Sequence, residues 1–169
     1  MIKSIKFVEG FVLDLYKDAP KQFNFTDGMN ILFSGNGAGK SVALKFLKKA
    51  IILSPKKALF YNRLGAGLQA IQANQKSVLA YSRATLIDSE LFEAYLNLAS
   101  LLLKLNDVNA ALHAARRAVF LNSVSWVARL RLGTILQSMN KFDGAISELN
   151  LASMHNPFAL EPYFSLCQI

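Results

Sequence analysis

The residues of this chain with the types and spacing to do chemistry lie near its amino terminus, in SGNGAGKS at 34 to 41. Successive backbone amides from Asn36 to Ser41 can turn inward onto phosphate oxygens. Gly37 and Gly39, on either side of Ala38, let the backbone come close. Lys40 would reach the β and γ phosphates of a nucleotide, and Ser41 would offer its hydroxyl to Mg²⁺. The chemistry implied is nucleotide binding, with ATP and Mg²⁺ as the cofactors it would take. The rest of the sequence offers no nucleophile beside a His and no facing carboxylates. Cys167, His113 and His155 do not make a zinc set, and Asp88, Glu90 and Glu93 gather at a turn as capping and solubilising groups.

A phosphate cradle of this kind needs a strand before it and a helix after it. Short β-type runs do precede it, IKSIKFV at 2 to 8, GFVLDLY at 10 to 16, FNF at 23 to 25 and MNILF at 29 to 33, and a helical pattern follows. The opening through DGMNILFSGNGAGKSVALKFLKKA resembles the start of the ABC-type ATPases of the chromosome-maintenance and RecF-like group. Ser34 stands where that motif has its first glycine, and weakens the loop if the position needs positive φ. The resemblance implies hydrolysis only with an acid at the end of a later buried strand and signature elements from a helical subdomain. The nearest apolar run ending in an acid is ATLID at 84 to 88, inside a repeat helix. In isolation the chain is therefore not expected to be a competent ATPase. An ATPase fragment completed by another chain is the alternative to a remnant loop.

The larger part of the chain follows a different rule. Leu64, Leu98, Leu132 and Leu166 stand 34 residues apart, as do Gly65, Ala99 and Gly133, then Ser77, Ala111 and Ala145, then Ala84, Ala118 and Ala152. A unit this short cannot bury its own apolar face, so stacked copies bury it for one another. Apolar residues three and four apart predict helix pairs at 58–71 and 76–88, 92–105 and 108–121, and 126–139 and 142–154. The polar breaks between the helices of a pair are QANQK, NDVN and NKFD. Small residues at 65, 99, 111, 133 and 145 let the helices approach closely, with Tyr81, Leu102 and Leu149 among the larger residues that fill the interior.

These columns, with Tyr95, Leu98, Ala99 and Leu102, then Ala111 and Ala118, and with Pro157, are similar to the tetratricopeptide repeat (TPR). The fold expected is mainly α: a TPR α-solenoid of three helix-pair repeats over 58–157 and the first helix of a fourth over 158–169, preceded by a small β-rich phosphate-loop segment over 1–41. The helix at 42–57 serves both patterns. Ala43, Leu47 and Ala50 lie one period before Ser77, Tyr81 and Ala84. What the resemblance implies for function is a concave groove lined by the first helix of each pair, including Asn62, Arg63, Asn97, Ser100, Arg131 and Thr134. One TPR subgroup clamps a peptide's C-terminal carboxylate with Lys, Asn and Arg. Asn97 and Arg131 fit two of those places, whereas Asn62, Ala66 and Val127 stand where Lys, Asn and Lys are expected. The function expected is a scaffold that holds a protein or peptide segment. The groove is expected to be mixed polar and apolar in preference to a carboxylate clamp or an unoccupied face. The alternative function is a P-loop ATPase fragment that is active only with residues from another chain, and self-association through the apolar C-terminal helix is a third possibility.

Composition bounds the remaining choices. The net charge is +8, and its larger share falls on residues 1 to 57, with ten Lys and four acids. A solvated helix face accounts for Lys45, Lys48, Lys49, Lys56 and Lys57 more simply than nucleic acid does. No apolar run reaches the roughly 18 residues of a membrane span, and the amino terminus lacks a signal-peptide core. The sequence thus predicts a cytoplasmic protein without a membrane partner.

Overall fold

The computed structural model of the protein describes residues 4–8, 10–14, 23–24 and 37–169, with side-chain surroundings from residue 43 onward. Near the amino terminus, β1 (Ser4–Val8) pairs antiparallel with β2 (Gly10–Asp14), and β2 pairs with β3 (Phe23–Asn24), in the order β1-β2-β3. The expected run at 29 to 33 lies outside the described residues, as do Ser34, Gly35 and Asn36.

Eight helices follow among the described residues. They are α1 (Gly37–Leu53), α2 (Ala58–Ala70), α3 (Asn74–Ile87), α4 (Phe92–Lys104), α5 (Val108–Leu121), α6 (Trp126–Ser138), α7 (Phe142–His155) and α8 (Glu161–Leu166). The first helices α2, α4 and α6 begin and end at 34-residue intervals, and so do the second helices α3, α5 and α7. Helix α1 ends one period before α3 does. The structure therefore has the helical repeat solenoid expected from the period, with the boundaries of the three helix pairs within two residues of expectation, whereas α1 runs over Gly37–Leu53 in place of 42–57 and α8 over Glu161–Leu166 in place of 158–169.

The turn inside each pair is built the same way three times. Gln72, Asn106 and Asn140 adopt φ of 60°, 62° and 57°, the left-handed region, directly after the C-cap residue. The next residue then donates its amide back across the helix end: Ala73 to the Leu68 carbonyl (2.9 Å), Asp107 to Leu102 (3.0 Å) and Lys141 to Leu136 (2.9 Å). This is the Schellman closure, which satisfies carbonyls that the helix end would otherwise leave without donors. Side chains cap the starts of α5 and α6. Asp107 accepts from the Ala110 amide, and Ser125 accepts from that of Ala128.

Pairs α2·α3, α4·α5 and α6·α7 each pack tightly, and each pair docks on the next. First helices also touch one another, α2 with α4, α4 with α6 and α6 with α8, while α3, α5 and α7 make no such mutual contact. The stack therefore curves with the first helices on its inner side. Its core is continuous from Tyr81 through Leu101, Leu102 and Ala115 to Ile135 and Ala145.

Contacts within the pairs depend on missing atoms. A β-carbon on Gly65 would lie 2.6 Å from the Tyr81 ring, and one on Gly133 would lie 2.7 Å from Leu149 Cγ. Ser77, at a position where the other repeats have Ala, is fully buried, and its hydroxyl donates to the Gly65 carbonyl at 2.7 Å. The hydrogen bond offsets the burial of that polar group.

Candidate functional site

The inner face is assembled from one helix of each pair, so residues from three repeats converge on it without any long loop. Arg63 on α2, Asn97 on α4 and Arg131 on α6 occupy equivalent positions one period apart, and all three are half-buried. Asn62, beside Arg63, is 4% exposed, and its side-chain oxygen accepts from Asn97 Nδ2 at 3.1 Å. The bond crosses from one repeat to the next and fixes the orientation of the Asn97 amide. Asn62 thus contributes to the groove through Asn97, as a positioning residue.

Two other groove residues have committed hydroxyl protons. Ser100 Oγ donates to the Leu96 carbonyl (2.9 Å) and Thr134 Oγ1 to the Arg131 carbonyl (2.9 Å). Their oxygens remain able to accept. The arginines differ from both. The Nε atoms of Arg63 and Arg131 are buried and have no acceptor among the described residues. Burial also pushes the Arg131 pKa below its ordinary value. A partly desolvated guanidinium favours an anion that brings its own oxygens, because a carboxylate supplies charge and two acceptors together. The ion pair formed by the described residues lies elsewhere, between Arg129 and Glu148 at 2.8 Å.

The six residues expected in the phosphate loop have a different standing. Gly37, Ala38, Gly39, Lys40 and Ser41 run within the opening of α1, with no side-chain surroundings described, and Asn36 lies outside the described residues. The helix begins at Gly37, earlier than the helical pattern after the motif led one to expect. Among the described residues no group of three His, Cys, Asp or Glu side chains is placed to hold a metal ion.

No protein-family model matches this chain, and no curated protein does. Solved structures do. MamA superposes with a TM-score of 0.72 at 25% identity, over 76% of this chain and 75% of that one. YrrB, a TPR protein with an unusual peptide-binding site, gives 0.69 at 23% identity, over 76% and 66%. The first TPR of Spaghetti (RPAP3), bound to the HSP90 peptide SRMEEVD, gives 0.65 at 20% identity, over 66% and 89%. The helical part of the protein therefore has a TPR-like repeat fold.

The 34-residue period aligns Arg63, Asn97 and Arg131 but gives no sign of the Asn62–Asn97 bond. The two asparagines are 35 residues apart, one off the period, so the repeat pattern alone does not align them.

Proposed function

We propose that the protein is an interaction scaffold whose inner face holds an extended segment of a partner protein, with an acidic group of that segment between Arg63, Asn97 and Arg131. The observation that carries this reading is the pair of half-buried arginines whose Nε atoms have no acceptor among the described residues. The fold likeness to YrrB and to the peptide-bound TPR of Spaghetti supports it. The places of the carboxylate clamp are only partly matched here, so an acidic side chain suits the groove better than a free C-terminus.

The test is selection from a displayed random-peptide library against the full chain. Ligands enriched by the wild type should carry Asp or Glu, and the double variant Arg63→Ala, Arg131→Ala should lose that enrichment. A ligand set without acidic residues, or one unchanged by the double variant, would overturn the reading.

A second reading attaches to the amino-terminal segment. The order of residues from Asn36 to Ser41 is what supports a site for ATP, with Lys40 on its phosphates and Ser41 toward Mg²⁺, whereas the helical course of Gly37–Ser41 lines their amides along the axis of α1 and does not curl them around a phosphate. Titration of a fluorescent ATP analogue into the wild type and Lys40→Ala decides it. Equal signals from the two proteins would remove this site.

A further inference from the structure

The opposite side of the stack carries a pattern of its own. On α3 the residues turned inward are Ser77, Tyr81 and Ala84, all buried. Two residues beyond Ala84 the helix has turned by about 200°, so Leu86 faces outward. It is 76% exposed. At the same position of the other second helices stand Ile52, Phe120 and Met154, which are 78%, 74% and 73% exposed. Four large apolar side chains thus stand in a row, one per repeat, across α1, α3, α5 and α7.

Cations flank this row. Lys45, Lys48 and Lys49 on α1, Arg83 on α3 and Arg116 on α5 are exposed, and each lies within two turns of the apolar residue of its helix. Arg117 lies over the Phe120 ring at 4.9 Å and donates to the Ser89 carbonyl at 3.2 Å. Helices α1, α3 and α5 contain no Asp or Glu at all. Asp88 and Glu90 lie in the turn that follows α3 and Asp107 caps the start of α5, while α7, which carries Met154, has Asp143 and Glu148 and no Lys or Arg.

A lone exposed Leu or Phe on a surface calls for no explanation, but four in register, three of them on helices that carry cations and no acids, do. We infer that this outer face rests on an anionic lipid surface. The four apolar side chains enter the boundary between headgroups and acyl chains, and the lysines and arginines meet lipid phosphates. A lipid surface fits better than a protein partner. A protein would need four sockets at matched spacing, whereas a bilayer accepts an apolar side chain anywhere and presents uniform negative charge. The contact is peripheral, and it leaves the inner groove facing away and free to bind.

Flotation of the full chain with vesicles tests the inference. The protein should float with vesicles of phosphatidylcholine and phosphatidylserine and stay behind with phosphatidylcholine alone. The variant Leu86→Ser, Phe120→Ser and the variant Arg83→Glu, Arg116→Glu should each weaken vesicle binding by about tenfold or more, with unchanged thermal unfolding because all four positions are exposed. Arg131→Ala, on the inner face, should bind vesicles like the wild type. Three results would overturn the inference. These are no flotation of the wild type, equal flotation with both vesicle types, or a loss confined to the charge variant, which would mark a site for an acidic macromolecule.

Discussion

Gly133 faces Leu149 across the third helix pair so closely that a β-carbon on the glycine would also come within 3.3 Å of the Ala145 carbonyl. Gly65 faces Tyr81 in the first pair in the same way. At the equivalent positions of the middle pair stand Ala99 and Ala115, both fully buried. Volume is therefore exchanged across the helix interface: a large side chain on the second helix is matched by none on the first. Gly133→Ala should destabilise the protein by about 1 to 3 kcal/mol through overpacking. Leu149→Ala alone should cost about 2 to 5 kcal/mol through the cavity it leaves. The double variant, which reproduces the middle pair, should cost clearly less than the sum. Urea unfolding of the four proteins gives the coupling, and strict additivity would refute the exchange.

The left-handed turn predicts a stabilising change. Asn tolerates positive φ better than longer side chains do, and two of the three equivalent turns use it. Gln72→Asn should raise stability by a few tenths to about 1 kcal/mol, and Gln72→Val should lower it, because a β-branched residue is strained there. Thermal midpoints of the two variants should fall on opposite sides of the wild type.

The bond from Asn97 to Asn62 predicts a coupled pair. Asn97→Leu leaves the buried Asn62 amide without its partner and should cost about 1 to 3 kcal/mol. Leucine is already the residue at the positions equivalent to Asn62, as Leu96 and Leu130. Adding Asn62→Leu should then recover part of the loss. Denaturant unfolding of the single and double variants checks this, and a double variant weaker than Asn97→Leu would contradict it.

Tyr81 gives a pH dependence. Burial raises its phenol pKa to about 12, against a smaller lowering effect of the nearby Ser77 hydroxyl, while an unfolded tyrosine titrates near 10. The folded state thus favours the protonated phenol, whose hydroxyl donates to Gln69 Oε1 at 3.1 Å. This contribution is complete below about pH 10 and is lost as pH rises through about 12. Unfolding free energy should fall over that window, and Tyr81→Phe should flatten the fall. An equal slope in both proteins would count against it.

The sequence made the helices legible because packing between neighbours demands the same small and large residues at the same places, and a fixed chain length between them leaves little freedom. Leu98, Ala99 and Leu102 could be read this way, and so could the groove position shared by Arg63, Asn97 and Arg131. The outer row was not legible by the same means. Ile52, Leu86, Phe120 and Met154 are apolar residues in amphipathic helices, and only their exposure separates them from the core. The sequence reading set membranes aside because it looked for a spanning segment, which the described helices do not provide. The role of Ser77, where the equivalent positions are Ala111 and Ala145, was not legible either. Its bond to the Gly65 carbonyl spans 12 residues, and periodicity carries no information about it.

The contacts of α2 with α4 and of α4 with α6 form the short inner arc of the stack, and they are slight beside those within each pair. A guest reaching from Arg63 to Arg131 would cross both of these joints at once and brace them like a strut. Its affinity would then be felt as stiffness: the occupied spring should resist pulling along its axis and hold its curvature at temperatures where the empty one begins to straighten.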